Sequence, residues 1–237
     1  MTVPRLRRTR PTAPVRWPRR TRPTLQSRRV LPGLPRLRPV VVLFVCTANV
    51  CRSPMAAALL GVVAGELAAG AGASVGGTDG PVTIASAGLL DGGRPTSPEV
   101  VSTLAPFGVD LTGHRSTRLT ASALEGADLI LGMERRHGRE AVLIVPSAWG
   151  RTFTLKDLVR RGERAGPRRH GQPLGDWLAL VGGDRARTDL IGRSSEDDVA
   201  DPLGGDLAAY RATASELADL VQRLGRLLWS GTGSADD

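Results

Sequence analysis

An unbroken apolar run, Val40-Val41-Val42-Leu43-Phe44-Val45, delivers the chain straight into Cys46-Thr47-Ala48-Asn49-Val50-Cys51-Arg52-Ser53-Pro54. No other stretch constrains the fold as tightly. The run is short, β-branched and free of polar residues, which predicts a strand buried on both faces, the central kind found in parallel sheets. Ser53 is suited to cap a helix with Pro54 at its first position, where the missing N–H costs nothing. Met55-Ala56-Ala57-Ala58-Leu59-Leu60 then propagates that helix well. Strand, loop and helix in this order aim backbone N–H groups at a common centre. The positive end of the helix dipole adds to them, and a dianion such as phosphate fits there.

Two side chains make this loop more than a cradle. At the end of the strand the positive field stabilises a thiolate, so the pKa of Cys46 is expected well below the free value of about 8.5. Arg52 can fold back and grip two equatorial oxygens with its planar fork, which Lys cannot do. Ser53 can donate its hydroxyl to the thiolate or the leaving sulfur. Read alone, Cys46 is also compatible with a small buried core residue at a strand end. That reading accounts for neither Arg52 nor Asn49.

At these residues the chain resembles the low-molecular-weight protein tyrosine phosphatases, whose signature is C-x-G-N-x-C-R-S-P directly after the first strand. Cys46, Asn49, Cys51, Arg52, Ser53 and Pro54 all match. The departure is Ala48, where the pattern most often has Gly, and a negative φ is expected there. The resemblance implies that Asn49 holds the loop's shape through side-chain hydrogen bonds. Thr47, Ala48, Val50 and Cys51 would form the rest of the phosphate-binding loop. It also implies a reversible disulfide between Cys51 and Cys46 that protects the nucleophile. Cys51 as a packed thiol stays an equal alternative.

The 237 residues suit one domain plus extra segments, and charge tells where the extras lie. Of 32 Lys and Arg residues, 12 fall in residues 1–38, which hold no acid, leaving 20 against 23 acidic residues in the remainder. Rich in Pro and poor in large apolar side chains, residues 1–38 are expected to be a disordered extension. The phosphatase domain is expected over 39–230, with a polar tail at 231–237. The basic extension could bind nucleic acid, acidic protein or anionic lipid. Trp17 is its only aromatic, which weakens single-strand stacking. Ser27-Arg28-Arg29-Val30-Leu31 faintly resembles an export signal, but cleavage after the only apolar run would remove the catalytic strand.

Two cysteines give no disulfide framework, and no apolar run is long enough to span a membrane. A cytoplasmic protein is expected. His114, His137 and His170 show no metal-ligand spacing and read as surface residues, so no metal and no organic cofactor is expected.

Further along, Gly70 to Gly80 reads as a Gly-rich surface loop and Pro81 to Gly88 as a second strand ending in Ser86-Ala87-Gly88, which the family also has. Leu89 and Leu90 follow near where the resemblance places a wall of the substrate cleft. An aliphatic wall packs a phenol ring without stacking on it. Ser97 and Pro98 open a helix with Val101, Leu104 and Ala105 on one face. Ala127 to Met133 is a third buried strand, Glu134 to Val145 a helix, and Thr152 to Leu155 a fourth strand. Strands alternating with helices imply a doubly wound, four-stranded parallel sheet with its ligand at the carboxyl ends of the strands. Residues 160–198 carry no chemistry that can be read, beyond a short helical piece around Asp176-Trp177-Leu178-Ala179-Leu180; Arg168 and Arg169 read as solvated charges.

Cysteine-based phosphate transfer also needs an acid for the leaving oxygen. The resemblance places it in an Asp-Pro dipeptide before the last helix, where Asp201-Pro202 stands, with Asp197 and Asp198 as local competitors. Alone, Asp201-Pro202 would be only a turn. The family usually follows with Tyr or Phe, and here Leu203 stands. Asp206 caps a closing helix with Leu207, Tyr210, Ala214, Leu217, Val221, Leu224 and Leu228 at helical spacing, which makes them core.

The expected activity is hydrolysis of phosphotyrosine on proteins by Cys46, Arg52 and Asp201. A related branch acts on phosphoarginine and has Thr where Val50 stands, which favours an aryl ester. Thiol-coupled arsenate reduction and a non-catalytic phosphate-binding module are the remaining alternatives.

Overall fold

The computed structural model describes residues 39–71, 82–194 and 196–229. The expectations for residues 1–38, for most of the Gly70 to Gly80 stretch and for the tail at 231–237 lie outside the described residues. Four strands form one parallel sheet: β1 (Val40–Cys46), β2 (Val82–Gly88), β3 (Leu129–Gly132) and β4 (Thr152–Thr154), in the order β2-β1-β3-β4. β1 pairs with both β2 and β3, running from Val40 opposite Val82 to Cys46 opposite Gly88. Chain order reverses across β1, so the loop after it opens at the switch point of the sheet, where doubly wound folds bind ligands.

Among the described residues seven α-helices cover the sheet: α1 (Arg52–Ala71), α2 (Pro98–Leu104), α3 (Ala121–Gly126), α4 (Arg135–Ile144), α5 (Leu155–Ala165), α6 (Leu174–Val181) and α7 (Leu207–Trp229). Strand alternation sorts the core into two layers. Val42 and Phe44 of β1, with Leu129, Leu131 and Phe153, pack under α1, α5 and α7. Val41, Leu43 and Val45, with Ala85, Ala87 and Ile130, pack under α3 and α4. Cys46 continues the first set and so faces the α1 layer.

α1 begins at Arg52, with Met55 N–H donating to Cys51 C=O at 3.0 Å, two residues before the start expected from Ser53 as cap. The Ser53 hydroxyl is therefore free for other work. In α2 the buried face is Val100, Thr103 and Leu104; Ala105 is exposed and Val101 only half-buried. α7 buries Tyr210, Ala214, Leu217, Val221, Leu224 and Leu228 as its spacing predicts, while Leu207 at its start is exposed. Each fully buried Leu or Val contributes about 1.5–3 kcal/mol. α7 lies so close to α1 that a Cβ on Gly225 would sit 2.6 Å from Val63 Cγ1.

The stretch from 160 to 198 proves structural. Arg185 is sandwiched between the rings of Trp149 and Phe153, 4.3 and 3.7 Å from their centroids, and donates to Thr152 C=O on the edge strand β4. Arg168 is buried rather than solvated: its Nε donates to Leu228 C=O at 3.0 Å, placing a cation at the carboxyl end of the α7 dipole. Arg169 is exposed, as expected. Among the described residues no helix is long and apolar enough to cross a membrane.

Candidate active site

The loop from Cys46 to Ser53 is shaped around one strained residue. Asn49 has φ 54°, in the left-handed region, and is the only non-glycine residue with positive φ among those described. Ala48 is therefore unstrained, as its side chain requires. Asn is among the few residues that tolerate this conformation, and its amide is fully used here. Nδ2 donates to Ser53 Oγ at 2.9 Å and to Ser86 Oγ at 2.8 Å, while Oδ1 accepts from Thr117 N–H at 2.8 Å. Its backbone carbonyl accepts from His114 Nε2 at 2.8 Å, which fixes that ring's tautomer. Every part of Asn49 is tied to a different element, and the residue is fully buried.

These ties aim two donors at sulfur. Cys46 Sγ accepts from Asn49 N–H at 3.2 Å and from Ser53 Oγ–H at 3.0 Å. The cradle thus aims two hydrogen-bond donors at one sulfur at the N-terminal end of a helix. Leu89 and Leu90 N–H bond back to the carbonyls of Cys46 and Thr47, zipping the loop onto the chain that leaves β2. Cys51 is held as a neutral thiol. Burial pushes its pKa up to about 11, helped by the charges of Asp201 and Cys46 and only partly offset by the Ser97 and Tyr210 hydroxyls.

Arg52 is 1% exposed and held by three hydrogen bonds. Nη1 donates to Glu134 Oε1 and, at 2.9 Å, to Val199 C=O; Nη2 donates to Asp201 Oδ2 at 2.6 Å. Spacing alone did not single out Glu134. It caps α4, with His137 closing the capping box, and it holds Arg136 as well, through Oε2 at 2.8 Å. Although burial raises its pKa, the hydrogen bonds from Arg52 and Arg136 hold Glu134 below the usual carboxylate range.

The expectation of surface histidines fails at two of three positions. His137 is fully buried, and burial, with Arg52 and Arg136 nearby, drives its pKa down to about 3. Its Nδ1 accepts the Glu134 N–H at 3.0 Å, so the ring proton sits on Nε2 and is donated to Thr47 Oγ1 at 3.1 Å. His114 is partly buried against the loop, and burial lowers its pKa too. His170 is exposed. Among the described residues no cluster of His, Cys, Asp or Glu could hold a metal ion.

Of the three candidate acids only Asp201 reaches the loop. Asp197 is buried against Arg135 and Arg160, and Asp198 accepts backbone N–H groups of Arg135 and Ser194. Both are committed to tying this segment down, as is Val199 N–H to Met133 C=O at 2.8 Å. Asp201 stays accessible, its side chain 39% exposed, with Leu203 N–H closing a turn on Oδ1. Leu90 and Leu203 are each about half exposed, whereas Leu89, expected with Leu203 as a wall of the cleft, packs against the buried layer of Val41, Leu43 and Val45.

Comparison with known proteins follows the same lines. Residues 41–166 match the family described as low molecular weight phosphotyrosine protein phosphatase. A protein-arginine-phosphatase of Geobacillus stearothermophilus is 30% identical over 191 residues, spanning 80% of this chain and 97% of its own. A probable low molecular weight protein-tyrosine-phosphatase of Ralstonia solanacearum is 38% identical over 141 residues, 59% of this chain and 87% of its own. Among solved structures, the low molecular weight protein tyrosine phosphatase from T. tengcongensis superposes with TM-score 0.53 at 32% identity. It covers 78% of this chain and 97% of its own.

Proposed function

This chain belongs to the low molecular weight phosphotyrosine protein phosphatase family, and from that premise we propose that it hydrolyses phosphotyrosine on proteins through a cysteinyl-phosphate intermediate. The observation that carries this reading is the convergence of Cys46 Sγ, the Arg52 guanidinium and the Asp201 carboxylate on one loop, with Asp197 and Asp198 turned to other partners.

In the first step the Cys46 thiolate attacks phosphorus in line. The S–P bond forms as the P–O bond to the phenol breaks, and the Asp201 carboxyl gives its proton to the departing oxygen. Arg52 and the loop N–H groups hold the spread charge of the equatorial oxygens. In the second step the Asp201 carboxylate takes a proton from water, which attacks phosphorus and breaks the S–P bond. Inorganic phosphate leaves and the thiolate returns. Ser53 donates to the sulfur throughout, and Asn49 keeps the loop in shape. Thr47, Ala48, Val50 and Cys51 supply the rest of the cradle. No metal or organic cofactor takes part. A cytoplasmic setting, where the thiol stays reduced, fits this chemistry.

Val50 favours the aryl ester, since it puts a buried apolar side chain where the phosphoarginine branch has a hydroxyl. Two observations favour phosphoarginine instead. The relatives matched over most of this chain carry the name protein-arginine-phosphatase, and the rim at Leu203 is aliphatic rather than aromatic. The test is phosphate release from phosphotyrosine and phosphoarginine peptides of one sequence, with arsenate plus thiol as a third arm and Cys46→Ser as control. Cys46-dependent release that favours phosphotyrosine supports the aryl reading. A preference for phosphoarginine refutes it and keeps the mechanism, and turnover of none of the three points to a binding module.

A further inference from the structure

Thr47, next to the cysteine, has an unusual hydrogen-bond account. Its Oγ1 accepts from His137 Nε2–H at 3.1 Å, and it accepts again from Arg136 Nη2 at 2.5 Å, because a guanidinium can only donate. Both lone pairs are therefore filled. The effect is to pin Arg136: Nε is held by Glu134 Oε2 at 2.8 Å, Nη2 by Thr47, and the side chain stays 41% exposed. Glu134 is in turn clamped by Arg52, so the position of Arg136 is referenced to the phosphate cradle itself. Its Nη1 has no hydrogen-bond partner among the described residues. Beside the cradle Arg136 thus presents a fixed guanidinium whose open nitrogen, Nη1, can only donate.

The two candidate substrates differ in what they offer such a group. The phenolic oxygen and ring face of phosphotyrosine are both electron-rich, and a guanidinium over an aromatic face is attractive. A phosphorylated guanidinium carries positive charge and N–H donors, so against Arg136 it meets like charge and donor against donor. We propose that Arg136, pinned by Thr47 and Glu134, is a specificity-determining residue that favours aryl phosphates over phosphoguanidines at this site. The inference rests on the aryl reading of the substrate given above. Glu134 and His137 serve it as positioning residues.

The test uses the full chain with paired phosphotyrosine and phosphoarginine peptides, reading the ratio of their kcat/KM values. Arg136→Met keeps the stem and removes charge and donors, and it should lower the phosphotyrosine preference by about tenfold. Arg136→Lys keeps the charge without the fork, and Thr47→Val frees the fork without removing it; each should move the ratio part of the way. Inhibition by inorganic phosphate should change far less than the substrate ratio in Arg136→Met, because Arg52 and the loop N–H groups remain although Thr47 loses one donor. A ratio that does not move, or an equal loss for both substrates, overturns the proposal. If the wild-type protein prefers phosphoarginine, the aryl reading fails. Arg136→Met then decides separately: a further shift toward phosphoarginine sustains the role of Arg136, and a fixed ratio removes it.

Discussion

Arg52 Nη2 and Asp201 Oδ2 lie 2.6 Å apart, joining the loop after the first strand to a segment 149 residues further on. The contact joins a buried cation to an accessible carboxylate, and it is incompatible with acid catalysis while it lasts. In the proposed mechanism Asp201 must leave Arg52 before it can reach the departing oxygen. A phosphate dianion competes for the same Nη2. Its arrival replaces one anion by another on Arg52 and releases the Asp201 side chain from that contact.

Asp201→Asn keeps a hydrogen-bond acceptor for Arg52 and loses the transferable proton. For substrates with poor leaving groups kcat should fall by roughly 10²–10⁴. For good leaving groups, which depart unprotonated, the loss should be far smaller. The check is a leaving-group series of aryl phosphates, wild type against variant. Parallel lines would take the acid role away from Asp201.

Cys46→Ser should abolish turnover while inorganic phosphate still binds, because the N–H groups of the loop and Arg52 do not depend on sulfur. Isothermal titration with phosphate reads the binding directly. Residual Cys46-independent hydrolysis would point to a different nucleophile.

The strand, loop and helix were legible because each is written locally: an apolar run, then a Cys-to-Arg loop, then Pro54 and good helix formers. The place of Asp201 beside the loop could be expected only through the family resemblance, since its Asp-Pro dipeptide alone reads as a turn. The supporting residues were not legible. Glu134, His137, His114, Ser86 and Thr117 each act through a single contact made across 37 to 90 residues of chain, and such contacts leave no local pattern. The one available signal was the capping arrangement of Glu134 with His137 three residues later, which marks a helix start at the end of a buried strand and hence at the ligand-binding edge. His114 and His137 were misjudged because their burial is a tertiary fact. Arg168 was misjudged for the same reason, since its partners lie on the far end of α7.

Gly88, opposite Cys46, has no side chain because the loop backbone occupies the space. A Cβ there would stand 2.8 Å from both Ala48 C and Asn49 N. The peptide bond between Ala48 and Asn49 cannot yield as a side-chain tip would. Gly88→Ala should therefore displace the cradle and cost on the order of 10²-fold in kcat/KM, the scale expected when reacting groups are misplaced by about 1 Å. Gly61→Ala is the control. It sits in α1 with nothing within 4 Å, and it should raise stability by about 0.5–1 kcal/mol without touching activity. Equal activity in the two variants would show that the loop tolerates the displacement.

His137 makes stability depend on pH in a defined direction. Its folded pKa of about 3 lies below the unfolded value near 6.5, so between these limits the unfolded chain binds a proton that the folded protein refuses. Stability is therefore full above pH 6.5 and is lost as pH falls toward 3. The loss should reach roughly 1–2 kcal/mol near pH 5.5 from this residue alone. His114 acts with the same sign. Glu134 adds its own loss only below the normal carboxylate range, because its folded pKa is depressed. His137→Asn cannot titrate but retains an oxygen to accept the Glu134 N–H. Whatever its stability at pH 7.5, its melting temperature should fall less steeply between pH 7 and pH 5 than that of the wild-type protein. Superimposable slopes would mean that the ring opens to solvent and charges without unfolding the site.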